Sequence, residues 1–211
     1  MRYRFLTILA AVVLLIGSIS GISIAGGNPY DIELWVVPEL TYSVMIDTPA
    51  GGIDFGGMEL NEVKWTTGTV QMSTATIYNN GNASADWQIR GAPLTTWTLV
   101  GSTNTKNDVR PNQINLTAVL TPETTSAAVI NDSAFSNSDI IDTTWRNMGD
   151  PTDYNRFAGG DETTGGKNNG NNVIANDRRI MWLRLKMPNE TTVDTPQQFQ
   201  INIRASPADT F

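Results

Sequence analysis

The chain contains no cysteine and no histidine. Without cysteine there is no disulfide, no thiol nucleophile and no thiolate ligand for zinc, and without histidine the usual neutral-pH base and metal ligand is missing too. Charge is sparse and of one sign: 14 basic side chains stand against 21 acidic ones, a net charge of −7. A phosphate backbone needs a cationic face, so nucleic acid is not an expected partner, and anionic membrane surfaces are disfavoured for the same reason. Helical periodicity is absent: the apolar run Ala127 to Ile130 is too short and follows Pro122. Long apolar runs are missing as well, with one exception at the start.

That exception runs from Phe5 to Ala25, preceded by Arg2 and Arg4 and ending in Ser23-Ile24-Ala25 before a Gly-Gly pair. A basic segment, an apolar segment and small residues two places apart are the three parts of a secretory signal peptide, which predicts cleavage after Ala25. The competing expectation is a retained anchor, since about 20 apolar residues can span a bilayer. Gly17, Ser18, Ser20, Gly21 and Ser23 dilute its second half, and no Lys or Arg follows. Removal of residues 1–25, with their two Arg, leaves residues 26–211 as one expected domain of net charge −9, with no membrane contact after cleavage.

What is abundant is alternation with period two. Met181, Leu183, Leu185 and Met187 alternate with Ile180, Trp182, Arg184 and Lys186, which predicts a strand with one face in a core and the other towards solvent. Phe199, Ile201 and Ile203 alternate with Gln198, Gln200, Asn202 and Arg204, and Ile114, Leu116, Ala118 and Leu120 form a third set. Thr69 to Tyr78, Asp86 to Arg90, Tyr42 to Ile46 and Ile32 to Val37 are further Thr-, Val- and Trp-rich runs. Thr48-Pro49-Ala50-Gly51-Gly52 is a break, and Asn79-Asn80-Gly81-Asn82 carries the Asn-Gly signal of a hairpin. About eight strands over one domain predict an all-β fold, a two-sheet antiparallel sandwich of immunoglobulin-like or jelly-roll type.

Residues 147–177 break the pattern, because Gly, Asn, Asp and Thr crowd there and predict a long loop, either mobile or held by a hard cation. Asp150, Asp153, Asp161 and Glu162, with Asn155 and Asp177, offer oxygen ligands of the kind calcium takes, although the spacing fits no EF-hand. The same four carboxylates are the candidates for acid and base roles in glycoside cleavage, but nothing singles out a pair. Asp and Asn are also simply good turn formers. Gly160 to Lys167 nearly matches a phosphate-binding loop, yet Lys167 falls one place late and Asn168 stands where a hydroxyl is needed. No catalytic residue and no cofactor is assigned, calcium being the one candidate ion.

Six tryptophans, Trp35, Trp65, Trp87, Trp97, Trp145 and Trp182, fill the core or form a sugar-stacking platform. Trp182, in phase with Arg184 and Lys186, is the expected outward aromatic. Asn82, Asn115, Asn131 and Asn189 stand in Asn-x-Ser/Thr sequons.

The stretch Ile53-Asp54-Phe55-Gly56, then Val70 to Tyr78 leading into Asn79-Asn80-Gly81-Asn82, then Trp87 and Trp97, resembles a group of exported bacterial β-sandwich surface proteins with the pattern "DFG, strand, N-x-GN, W". Arg178 to Pro188 followed by Pro196 to Ala205 is similar to their closing strand pair, so the likeness spans most of the mature chain. The group has no assigned activity. The resemblance implies an immunoglobulin-like exported fold and carries over no catalytic residue; Asp54-Phe55-Gly56 is a strand end and glycine turn rather than a kinase motif.

These features predict a noncatalytic exported structural protein at the cell surface, a subunit of a layer, filament or pilus-like polymer that associates with identical copies. A secreted carbohydrate-binding sandwich, with glycan as partner, is the alternative. The expected assembly strand is Ile32, Leu34, Trp35, Val36 and Val37, which pairs with its own sheet or inserts into a neighbour's.

Overall fold

A computed structural model describes residues 39–68, 73–123, 130–149, 156–159 and 169–208. The expected signal peptide and the Ile32 to Val37 strand lie outside them. From Leu40 onward the chain forms one compact unit. It is all β, and its helical content among the described residues is two 3-10 turns, Asp132–Ala134 and Asn137–Asp139.

The strands are β1 (Val44–Asp47), β2 (Val63–Trp65), β3 (Ala75–Asn79), β4 (Ala85–Pro93), β5 (Thr98–Leu99), β6 (Gln113–Thr121), β7 (Arg146–Asn147), β8 (Arg178–Lys186) and β9 (Phe199–Pro207). One sheet runs β1-β3-β8-β6-β5, and the other is β7-β4-β9. On one side β8 pairs with β6 from Asn115↔Lys186 to Thr121↔Ile180. On its other side two short strands share the length, β3 against Arg178 to Met181 and β2 against Arg184 to Lys186. Between them Thr66, fully buried, bridges both ways: its amide donates to the Leu183 carbonyl and its hydroxyl accepts from the Leu183 amide. The ladder is antiparallel except between β5 and β6, which run parallel.

Core-facing Ile77, Ile114, Leu116, Ala118, Leu120, Met181 and Leu183 meet Trp87 and Ile89 of the small sheet, all under 5% exposed. The alternation of β8 and β6 therefore places the expected rows in the core. The other face of these strands departs from expectation. Trp182 is 2% exposed and Arg184 1%. Trp182 packs with Val119, Ile130 and Phe135 in a second apolar cluster on the far side of the sheet, and its Nε1 donates to Thr121 Oγ1 at 2.8 Å. The expected outward tryptophan is thus an inward one, because the segment carrying the 3-10 turns covers the face that alternation assigned to solvent.

The Asn79 corner is the other departure. It does turn, but it joins no hairpin: β3 lies in the large sheet and β4 in the small one. The side chain of Asn79, fully buried, holds this crossing, donating to the carbonyls of Ala83 and Val173 at 2.7 and 2.8 Å and accepting from the Gly81 amide at 2.9 Å. Gly81 is required by proximity, since a Cβ there would sit 2.3 Å from the Thr41 carbonyl oxygen. The Asp54-Phe55-Gly56 stretch is a turn without a strand, closed by the Gly56 amide donating to Asp54 Oδ1 at 2.7 Å with Gly56 at φ +64°.

Candidate functional site

A sheet edge is a row of backbone donors and acceptors, and most edges among the described residues are short. The outermost strands β1, β5 and β7 have four, two and two residues. β9 has nine and forms the end of the small sheet. Its register with β4 runs from Ala85↔Pro207 to Pro93↔Phe199. The β4 amides of Trp87 and Gly91 donate away from β9, to the carbonyls of Gly170 and Asp142 at 2.7 Å each, while the Leu94 amide donates to Gln198 O. Antiparallel partners alternate between bonded and non-bonded pairs. Gln200, Asn202 and Arg204 therefore exchange bonds with β4, whereas the N–H and C=O groups of Phe199, Ile201, Ile203 and Ala205 point away from it.

Among the described residues no strand pairs with that outer edge. The same four residues carry the core-facing side chains, and each is only half-buried against the core. Main-chain groups and unfinished apolar packing thus coincide along seven residues, roughly 23 Å of edge at about 3.3 Å per residue. Sequence periodicity located this strand and its two faces. That it ends a sheet was invisible, because edge position is set by which other strands pair.

The expected metal ligands Asp150, Asp153, Asp161 and Glu162 lie outside the described residues, as do Ile32, Leu34, Trp35, Val36 and Val37. Among the described residues no cluster of three metal-ligating side chains occurs. The described parts of the 147–177 loop are stitched to both sheets by protein groups. Met148, Phe157 and Val173 are fully buried. The Phe157 amide donates to Asp139 Oδ1, Gly159 to the Leu120 carbonyl, Asn172 to Asp86 Oδ1, and Val173 exchanges both bonds with Ala85. At these positions the few apolar side chains of the loop are the ones that anchor it. Asn115, in one of the four sequons, is also fully buried, its amide donating to the carbonyls of Thr105 and Asp108.

A polar cluster clamps the covering segment to the large sheet. Arg184 donates from Nε to Asp132 Oδ1 at 2.5 Å and from its two terminal nitrogens to Lys106 O and Asn107 Oδ1 at 2.8 Å each, and Lys106 Nζ lies 3.2 Å from Asp132 Oδ2. Burial raises the Asp132 carboxyl, but the bonds and charges of Arg184 and Lys106 outweigh it and hold the group below its usual 3.8. At Asp142 burial is likewise outweighed, by bonds from Thr144 and Ser102. Carboxyls whose folded value is depressed stabilise the fold fully above their unfolded value and lose that contribution as pH falls through the folded one. Stability is accordingly expected to decline below about pH 4, and the Asp142→Asn variant should show a shallower decline in thermal melts taken between neutral pH and strong acid.

Comparison of the chain with protein-family models, with curated proteins and with solved structures found no match in any of the three.

Proposed function

We propose that this chain is a noncatalytic, exported structural subunit of a cell-surface layer or filament, an immunoglobulin-like sandwich whose copies join by strand addition. The observation that carries the reading is the β9 edge, a nine-residue strand with outward main-chain groups and half-buried core-facing side chains. Natural sheets blunt long edges with charge, proline or brevity. Here the outer-bonding positions are Phe199, Ile201, Ile203 and Ala205, none charged and none proline. The complementary strand is Ile32 to Val37 of another copy, in which Ile32, Leu34 and Val36 share a face. Six residues span about 20 Å, matching the edge. Inserted strands supply ladder bonds and side chains for pockets together, and a head-to-tail contact of this kind generates a filament.

Proline tests the edge with little harm to the fold, because it is tolerated where an edge amide faces away from the ladder. Mature protein is expected to form polymers visible by negative-stain microscopy. Ile203→Pro and Ile201→Pro should melt cooperatively yet fail to extend chains, while Asn202→Pro, which removes a bond to β4, should unfold. Wild-type protein that stays monomeric at high concentration would overturn the subunit reading. Polymers unaffected by both edge prolines would leave assembly standing and remove β9 as its acceptor.

A further inference from the structure

The outward face of the small sheet carries a second feature, independent of its edge. Strand alternation places Gln88 and Arg90 of β4 on this face, opposite Arg204 and Asn202 of β9, and Asn147 of β7 lies opposite Gln88. Trp145, just before β7, is half-buried there and receives two guanidinium groups, Arg90 at 4.7 Å and Arg204 at 4.4 Å from its ring centroid. Tryptophan is the strongest cation–π partner, so the indole fixes both cations in place.

Stacking uses the flat face of a guanidinium and leaves its in-plane N–H groups for a ligand. Arg204 spends its Nε on Gln88 Oε1 at 2.7 Å, and Gln88 in turn donates to Asn147 Oδ1 at 2.6 Å, which orders the row. The remaining N–H groups of Arg204 have no acceptor among the described residues, and those of Arg90 have none among them either, its buried Nε included. Neither arginine belongs to an ion pair among the described residues, although acidic side chains outnumber basic ones in this chain by 21 to 14. Two immobilised cations without a carboxylate partner among the described residues, in a protein of net negative charge, define a place for an external anion.

We infer that this face binds an acidic polysaccharide, with a ring carboxylate held by the forks of Arg90 and Arg204 and sugar hydroxyls met by Asn147 and Asn202. Forked guanidinium donors match a carboxylate two bonds at a time. Side-chain amides suit hydroxyls because each both donates and accepts. Arg204 is exposed and Arg90, Trp145, Asn147 and Asn202 are partly so, which leaves their outer atoms to a polymer lying along the face.

Calorimetric titration of the full mature chain with oligogalacturonate, maltohexaose and hexaglutamate tests this. The expected result is binding of oligogalacturonate that weakens as salt is raised, no binding of neutral maltohexaose, and weaker binding of hexaglutamate. Arg204→Gln and Arg90→Gln should each weaken oligogalacturonate about tenfold or more, the loss of charge-assisted hydrogen bonds. Arg204→Lys, which keeps the charge and loses the fork, should not restore it. Arg204 is exposed, so Arg204→Gln decides the test should Arg90→Gln prove unstable in melts. Equal binding of maltohexaose or of hexaglutamate, unchanged affinity in Arg204→Gln, or no binding of oligogalacturonate would each overturn the assignment.

Discussion

Asp132→Ala should destabilise the protein by about 2 kcal/mol and Arg184→Met by about 1 kcal/mol, with Asp132→Ala/Arg184→Met costing less than their sum. The asymmetry follows from burial. The Arg184 side chain is 1% exposed and that of Asp132 46%. Removing Asp132 strands a guanidinium inside the protein, with only the Lys106 carbonyl and Asn107 left to receive it. Removing the arginine instead returns a half-exposed carboxylate to water, with Lys106 still beside it. A buried pair broken from its buried side chain's partner ordinarily costs about 3–5 kcal/mol, and the exposure of Asp132 screens this one to the lower figure. Methionine meanwhile fills much of the vacated volume with apolar atoms. Denaturant titrations of the three variants check the ordering, and a larger loss for Arg184→Met than for Asp132→Ala would contradict it.

Asn79→Ala is expected to cost about 3 kcal/mol, whereas Asn80→Ala next to it should cost less than about 0.5 kcal/mol. One substitution orphans two main-chain groups at the point where the chain leaves one sheet for the other, the carbonyl of Ala83 and the amide of Gly81, and takes from the Val173 carbonyl one of its two donors, the Ala85 amide remaining. Each orphaned buried group costs about 1–3 kcal/mol, and relaxation at a corner recovers part of that. Asn80 is exposed and serves through its backbone amide, which donates to Ser43 O and survives truncation of the side chain. Val173 belongs to the long loop, so the same variant should speed proteolysis between residues 147 and 177. Equal stability of the two alanine variants would remove Asn79 as the pin of the crossing.

These residues show where the sequence was legible. Period-two alternation located β6, β8 and β9 and assigned their core rows, because side-chain direction in a strand is a local property. Coverage of the opposite face was half written: Ile180 and Trp182 interrupt the polar row of β8, and Ala118-Val119-Leu120 is a continuous apolar run of the kind found in strands buried on both faces. The covering segment itself gave no periodic signal, since it is held by 3-10 turns and by an Arg184–Asp132 pair 52 residues apart. Asn79-Asn80-Gly81-Asn82 announced a turn correctly and a hairpin wrongly. Turn chemistry fixes local φ and ψ, while the sheet joined by the next strand is decided by pairing with β9 at the other end of the chain. Trp145 carried no sign that it, rather than Trp182, faces outward, because its arginine partners come from two other strands.

Amide hydrogen exchange on the mature protein, compared between dilute monomer and concentrated polymer, tests the strand-addition account most directly. The account predicts that Ile201, Ile203 and Ala205 exchange freely in the monomer and become protected on assembly, while Asn202 and Arg204, bonded to β4, are protected throughout. Free exchange of the three outer amides in assembled polymer, or equal protection of them in dilute monomer, would contradict it.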